Sequence, residues 1–247
     1  MFSVAGAWLW FGMASFGFAA IAFYVMSLKA RPEDKHHYLI SMLIVLVANS
    51  SYTAMSIGQS HITLSDGHAL FYGRYIDWAI TTPLLLLGLA SIGMRAISVN
   101  RTIVYGLMAV DEYMIITGLI GGLSVDSSRW IWYTWSCIAF VAVLALLWGP
   151  VRIEARAQGR EVAYVRLAAL LTILWIQYPF AWFFGDEGMR IIPSVFETAW
   201  YTSLDVAAKV VFGFASLAAV KALPPAIEEG GTIVSSESQR RVVPAST

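Results

Sequence analysis

Lys209 and Asp205 stand four residues apart in the stretch YTSLDVAAKVVFGF, residues 201–214, which is otherwise almost wholly apolar. A lysine at the centre of such a helix costs about 2.5–3.5 kcal/mol on insertion scales, so its presence needs a reason. A second stretch, FYGRYIDWAITTPLLLLGL at 71–89, carries Arg74, Asp77 and Thr81 at i, i+3 and i+7, on one helix face. Two carboxylates and two cations therefore lie within apolar sequence. One chemistry for them is a buried ion-pair network that braces a transporter. Another is a pathway for ions or protons, which intramembrane charges often mark. An amine in an apolar site also condenses with an aldehyde to an imine. The carboxylates would then offset the charge of the protonated imine.

Aromatic residues gather around the same segments. LWIQYPFAWFFG places Trp175, Tyr178 and Trp182 at i, i+3 and i+7, with Pro179 among them. Tyr75 and Trp78 lie beside Asp77, and Trp130, Trp132, Tyr133 and Trp135 follow in a later segment. Stripes of this kind are either packing or the walls of a box for a flat, conjugated, apolar ligand. Ten tryptophans in 247 residues are enough for either.

The elements that position these residues follow from composition. The chain is 58% hydrophobic and 13% charged; a soluble domain carries roughly 25% charged residues. Mean hydropathy is +0.67. Seven apolar stretches, at about 5–28, 38–59, 70–93, 102–123, 130–149, 162–184 and 194–220, are each long enough to cross a bilayer. The fold class expected is an all-α membrane protein, a seven-transmembrane-helix bundle, with Pro83 and Pro179 disturbing the third and sixth helices. One transmembrane domain fills 1–223, and 224–247 reads as a disordered cytoplasmic tail. The single Cys137 excludes an intrachain disulfide and a cysteine-based metal site. It reads as packing, as do the methionines other than Met114. Lys29, Arg31, Lys35, Arg95, Arg101, Arg152, Arg156, Arg160, Arg166 and Lys221 fall on one side of the trace, with Arg129 and Arg190 on the other. The positive-inside rule places the N-terminus outside and the C-terminus in the cytoplasm of a plasma-membrane protein. The first span has no basic residue before it and Lys29 and Arg31 after it, so it reads as a retained helix rather than a signal peptide. His61 and His68 fall in an outer loop and His36 and His37 in an inner one, all four solvated.

The patterns RYxDWxxTTPLLL at 74–86, WxxYPxxW at 175–182 and LDVxAK at 204–209 resemble those of the microbial (type 1) rhodopsins, over the chain up to about Leu223. The resemblance implies all-trans retinal held on Lys209 as a protonated Schiff base and isomerised by light. It makes Asp77 the counterion and proton acceptor, Asp205 the second counterion, Arg74 the gate, and Thr81 the hydroxyl bonded to the acceptor. Glu187 and Glu197 become the proton-release pair. Tyr52, Tyr75, Trp78, Thr82, Leu85, Met114, Gly118, Trp132, Trp175, Tyr178, Trp182 and Ala208 become cofactor-binding positions. Tyr52 and Tyr178 also bond the second counterion. Asp111 matches a carboxyl that stays protonated, and Glu112 faces a helix end or a subunit contact. Leu85 and Gly118 suggest green absorption. Tyr133 is bulky where carotenoid-binding relatives have glycine, so no carotenoid antenna is expected. Trimers or pentamers are expected, with protons and lipid as partners and no nucleic acid.

The departure from the pattern is Gly88, eleven residues after Asp77 and on the same face, where relatives carry the carboxylic proton donor. Ser41 matches a hydroxyl that supports that donor. The implied function is a light-driven outward proton pump, not an enzyme, without a carboxylic donor. The alternative is a photosensor signalling to a separate transducer. Asp205, Ala208 and the complete Glu187/Glu197 pair favour the pump. An uncharged residue at the Asp77 position would mark a chloride pump, and Asn and Gln at the outer places of the triplet Asp77, Thr81 and Gly88 a sodium pump; this chain has neither.

Overall fold

In lipid every backbone polar group must be satisfied within the segment, which leaves the helix as the spanning form for these apolar runs. The computed structural model describes residues 4–94 and 100–223. Arg95 and the tail expected over 224–247 lie outside them. Seven helices are long and apolar enough to cross a membrane: α1 (Gly6–Ser27), α2 (Pro32–Ser56), α3 (Tyr72–Gly93), α4 (Arg101–Leu123), α5 (Ser128–Ala157), α6 (Glu161–Phe184) and α7 (Ser194–Ala222). A ribbon of two short antiparallel strands, β1 (Ile62–Thr63) and β2 (Ala69–Leu70), pairs Ile62 with Leu70 between α2 and α3. The all-α reading therefore holds for the spans and misses this hairpin, which is too short to leave a periodic signal.

Local chemistry sets the breaks. Pro32 opens the single 3-10 turn that begins α2, where its missing N–H costs nothing. Asn100 caps α4 by accepting from the Ile103 amide. In α6, Pro179 has no N–H to give the carbonyl four residues back, Trp175, and the helix is interrupted at Ile176. α3 runs unbroken through Pro83. α5 continues past the expected end at 149 to Ala157, because Gly149 and Pro150 are absorbed in a widened π-turn, Leu147–Val151. A second π-turn, Ala207–Val211, lies in α7 and contains Lys209.

The most enclosed helix is α3. Two-thirds (67%) of its apolar window is buried, against 28% for α1 and α5, so α3 has partners on nearly every side and lipid contact on few. Leu85, Leu86 and Leu89 of α3 pack with Val104 and Leu107 of α4, Val143 and Leu147 of α5, and Leu167 and Leu171 of α6. Phe16 and Phe23 of α1 pack with Tyr52 and Val45 of α2. At one end of the bundle, here the hairpin end, Leu70 packs with Tyr75, Trp182 and Tyr201. At the opposite end Arg31 donates to the carbonyls of Val220 and Leu223, satisfying the end of α7.

Candidate functional site

Spacing of four places Asp205 and Lys209 on one face of α7, turned toward α3. The Lys209 amine lies 2.7 Å from Asp205 Oδ1 and 2.9 Å from Asp77 Oδ2. All three side chains are sealed from solvent, at 2%, 0% and 0% exposure. Such a cluster stays charged only if its hydrogen bonds are nearly complete. Asp205 meets that demand: it accepts from Tyr52 of α2 at 2.7 Å, Tyr178 of α6 at 2.8 Å and Trp78 of α3 at 3.0 Å. Asp77 does not, since its Oδ1 is buried with no hydrogen-bond partner among the described residues. Thr81, expected to bond the acceptor carboxylate, donates instead to the Asp77 main-chain carbonyl at 2.8 Å. The hydroxyl one helical turn on reaches that carbonyl directly. Of the two carboxylates, Asp77 is therefore the one with acceptor capacity to spare.

Toward the hairpin end, the Arg74 guanidinium sits over the rings of Tyr201, at 4.6 Å, and Phe71, at 4.9 Å. It approaches Glu197 at 3.7 Å and donates to Thr198 at 3.4 Å. Glu197 also accepts from the Asp186 amide at 2.9 Å. Beyond it, burial and then the neighbouring Glu197 push the Glu187 carboxyl well above its usual range. The shift favours the protonated form of Glu187 beside Glu197.

The aromatic box is real. A cavity of about 100 Å³ adjoins Lys209 and is walled by Tyr75, Trp78, Thr82 and Leu85 of α3, Met114 and Gly118 of α4, Trp175, Tyr178 and Trp182 of α6, and Ala208 of α7. Three expectations need correction. Trp132 is not in the lining; its neighbour Tyr133 is, stacked on Trp182 at 4.7 Å. Adjacent residues on a helix point about 100° apart, so only one of them faces inward. Cys137, four residues from Tyr133 on the same face, lines the cavity rather than merely packing. Tyr52 serves Asp205 from α2 and does not line the cavity. Deeper in, Thr82 donates to Asp111 at 2.7 Å, giving that buried carboxyl its partner, while Glu112 is half-buried on the other side of α4.

A smaller cavity, about 20 Å³, lies on the opposite side of Lys209 and is bordered by Gly88, Leu85, Ile40, Ser41, Phe212 and His37. His37 is not in a solvated loop. It belongs to the first turn of the regular helix Lys35–Ser56, is half-buried, and its Nδ1 lies 3.3 Å from the Ser91 hydroxyl. His68 is likewise not solvated, at 4% exposure. Its Nε2 meets the Gly122 carbonyl at 3.0 Å, and its Nδ1 meets Asp66 and, at 3.0 Å, Arg190. Arg129 binds the same Asp66 at 2.9 Å and donates to the Glu187 main-chain carbonyl at 3.2 Å. These contacts clamp the hairpin over the Glu187 end of the site.

Sequence comparison reaches the same arrangement from outside. The model of a family described as bacteriorhodopsin-like protein matches residues 3–223. The chain belongs to that family. It is 38% identical over 219 residues to archaerhodopsin-2 of Halobacterium sp. (strain aus-2), covering 85% of this chain and 83% of that one. A halorhodopsin of Halobacterium sp. (strain SG1) is 32% identical, over 83% of this chain and 75% of its own. Among solved structures, the thermophilic rhodopsin from Rubrobacter xylanophilus superposes with a TM-score of 0.85 at 33% identity, covering 88% of this chain and 96% of that one. The light-driven proton pump Coccomyxa subellipsoidea rhodopsin gives 0.82 at 36%, covering 87% and 96%.

Members of the bacteriorhodopsin-like family bind retinal, and this chain's residues suit that group. Its cavity is apolar and aromatic except at the end where a lysine amine waits between two carboxylates. Sequence reasoning missed several of its walls: Ile115, Ser136, Cys137, Phe140, Pro179 and Tyr201. On α5 the signal was available, because Tyr133, Ser136, Cys137 and Phe140 keep the spacing i, i+3, i+4, i+7. For His37 and His68 no periodicity pointed to burial.

Proposed function

We propose that this bacteriorhodopsin-like protein is a light-driven outward proton pump that works without a carboxylic donor on the third helix. The observation that carries the reading is the Lys209 amine shared between Asp77 and Asp205 at the polar end of the aromatic cavity. When bound to Lys209, all-trans retinal supplies light absorption and a light-driven change of shape. The remaining work belongs to the chain. Tyr52, Tyr178 and Trp78 already donate to Asp205, so it orients charge and does not take the proton. Asp77, with an unpartnered oxygen, takes it. Neutral Asp77 no longer attracts Arg74, whose charge then acts on Glu197 and Glu187. A closer cation lowers the affinity of that pair for its proton, and the proton leaves at the hairpin end.

Return of a proton follows the smaller cavity. Among the described residues bordering it, Lys209 and His37 are the ones with an ionisable side chain. His37, at the far mouth with Ser91, is placed to collect a proton and pass it inward across the space beside Gly88. The excess of basic residues opposite the hairpin supports an external hairpin end and N-terminus and a cytoplasmic C-terminus, in the plasma membrane. A chloride pump carries an uncharged residue where this chain has the carboxylic acid Asp77, which argues against that reading, and the pump reading is not that of an enzyme. Assembly into trimers or pentamers follows from the family. Tyr133, stacked on Trp182, fills the wall through which an antenna carotenoid would reach the cavity.

The test is direct. Cells expressing the chain with all-trans retinal are illuminated with green light in unbuffered suspension, with and without a protonophore. Acidification that the protonophore abolishes is expected, together with loss of colour in Lys209→Ala and loss of transport, with a red-shifted pigment, in Asp77→Asn. Coloured cells with no pH change would transfer the reading to the photosensor, for which the absence of a carboxyl at Gly88 is the argument.

A further inference from the structure

Six buried side-chain atoms among the described residues lack a hydrogen-bond partner, and five of them lie between Lys209 and the hairpin end: Arg74 Nε, Asp77 Oδ1, Glu187 Oε2, Tyr201 Oη and Thr202 Oγ1. Burying a hydroxyl without a partner is unfavourable, so each such group in a native fold calls for an explanation. Arg74, Asp77 and Glu187 already have roles in the proposed pump. Tyr201 does not, and its position is specific. It is 1% exposed. Its ring lies under the Arg74 guanidinium, 4.6 Å from Cζ, and against Trp78 at 5.4 Å and Tyr178 at 6.0 Å. It stands one turn after Glu197 on α7, within electrostatic reach of Glu187, Tyr75, Glu197 and Arg74. The other phenol of the group, Tyr75, is already fixed, accepting from Trp182 Nε1 at 3.0 Å.

We propose that Tyr201 is a positioning residue of proton release, whose hydroxyl donates a hydrogen bond to the Glu187 carboxylate formed when the Glu187/Glu197 pair gives up its proton. The assignment rests on the pump reading. One O–H bond breaks, that of the Glu187 carboxyl, and its proton goes to the external water. The Tyr201 O–H bond stays intact and only reorients. A hydrogen bond to the charged form favours that form, so the donor lets Glu187 release at lower pH than it otherwise would. The same ring, stacked on Arg74, keeps the guanidinium in reach of the pair. Groups facing Glu187 come from every neighbouring element: Arg74 and Tyr75 from α3, Glu197 and Tyr201 from α7, and Arg129 of α5 through the Glu187 carbonyl. His68 faces the same wall through the Gly122 carbonyl.

The experiment uses the full chain reconstituted with all-trans retinal and a pH-sensitive dye, following flash-induced proton release as a function of pH. Tyr201→Phe removes the hydroxyl and keeps the ring. The midpoint of release is expected to move up by about one pH unit. Tyr201→3-fluorotyrosine, a stronger donor in the same ring, moves it down. In a Glu187→Gln background Tyr201→Phe has no further effect. An unmoved midpoint in a normally coloured Tyr201→Phe pigment, or an equal shift in the Glu187→Gln background, overturns the assignment. A wild-type pigment that releases no proton overturns the pump reading itself, and the assignment with it.

Discussion

His37→Gln tests how the protein lives without a carboxylate at Gly88. With the imidazole gone, nothing bordering the small cavity except Lys209 titrates, and the inward proton must come straight from bulk water. Its rate is then a diffusional encounter of about 10⁹–10¹⁰ M⁻¹ s⁻¹ multiplied by the proton concentration, roughly 10²–10³ s⁻¹ at pH 7 and 1–10 s⁻¹ at pH 9. These are ceilings, because the mouth is narrow. Uptake in His37→Gln is therefore expected to fall about tenfold per pH unit and to run slower than in the wild type, where the imidazole relays the proton. Adding Gly88→Asp should flatten the dependence. There is room for it: a Cβ at Gly88 meets only the Ile40 methyl, at 3.7 Å. The assay is flash photolysis with a pH-sensitive dye from pH 6 to 9. A wild type and His37→Gln with the same uptake rate at every pH would take the imidazole off the path. A Gly88→Asp variant that leaves the slope unchanged would take the small cavity off it.

Two further predictions concern stability. Loss of surrounding water raises the Asp66 carboxyl, but hydrogen bonds from Arg190, His68 and Arg129 outweigh that and hold it well below the usual carboxylate range. A depressed carboxylate contributes stability above its unfolded value, about 4, and loses it as pH falls through the lower folded value. Hydrogen exchange in the 62–70 hairpin should therefore quicken on acidification below about pH 4, and Asp66→Asn should exchange fast at every pH; an Asp66→Asn hairpin protected like the wild type would refute the clamp. In α7, an alanine Cβ at Gly213 would come within 2.7 Å of the buried Phe23 ring. Gly213→Ala is expected to cost about 1–3 kcal/mol, read as a lower temperature of pigment bleaching, with Phe23→Leu restoring part of it.

The sequence carried the spans and the charged centre because both depend on strong local signals. An apolar run of about twenty residues has few alternatives to a membrane helix, and Lys209 with Asp205 and Asp77 stands out against it. The identity of the inward wall of α5 was harder, since four aromatic residues in six positions mask which one faces the cavity; the choice of Trp132 over Tyr133 was an error of one residue and 100°. The histidines failed for another reason. His37 and His68 stand beside polar, turn-forming sequence, and their burial comes from elements distant along the chain: Ser91 closes over one, Gly122 and Arg190 over the other. The bond of Thr81 to a main-chain oxygen, rather than to the Asp77 carboxylate, is a rotamer choice that residue type and spacing do not settle.

The two sides of Lys209 differ in a way that bears on direction. Toward the hairpin end lie Asp77, Asp205, Arg74, Glu197 and Glu187, with five buried atoms whose hydrogen-bonding capacity is unused. Toward the other end the lining is Leu84, Leu85, Ile92, Ile40, Ile44 and Phe212, relieved by Ser41, Ser216 and the bare backbone of Gly88. A charge moved into the first region finds dipoles and counter-charges already in place; moved into the second, it loses solvation without compensation. A proton leaving the Lys209 centre is therefore drawn toward the hairpin whatever its source, while a proton arriving by the apolar side has to be delivered close by. His37 at the mouth of that side, and space instead of a side chain at Gly88, meet the second need with a single titratable group. On the proposed pump reading, the preference for one direction is a property of where the polar groups lie, and a carboxylate on α3 is one way, not the sole way, to supply the return proton.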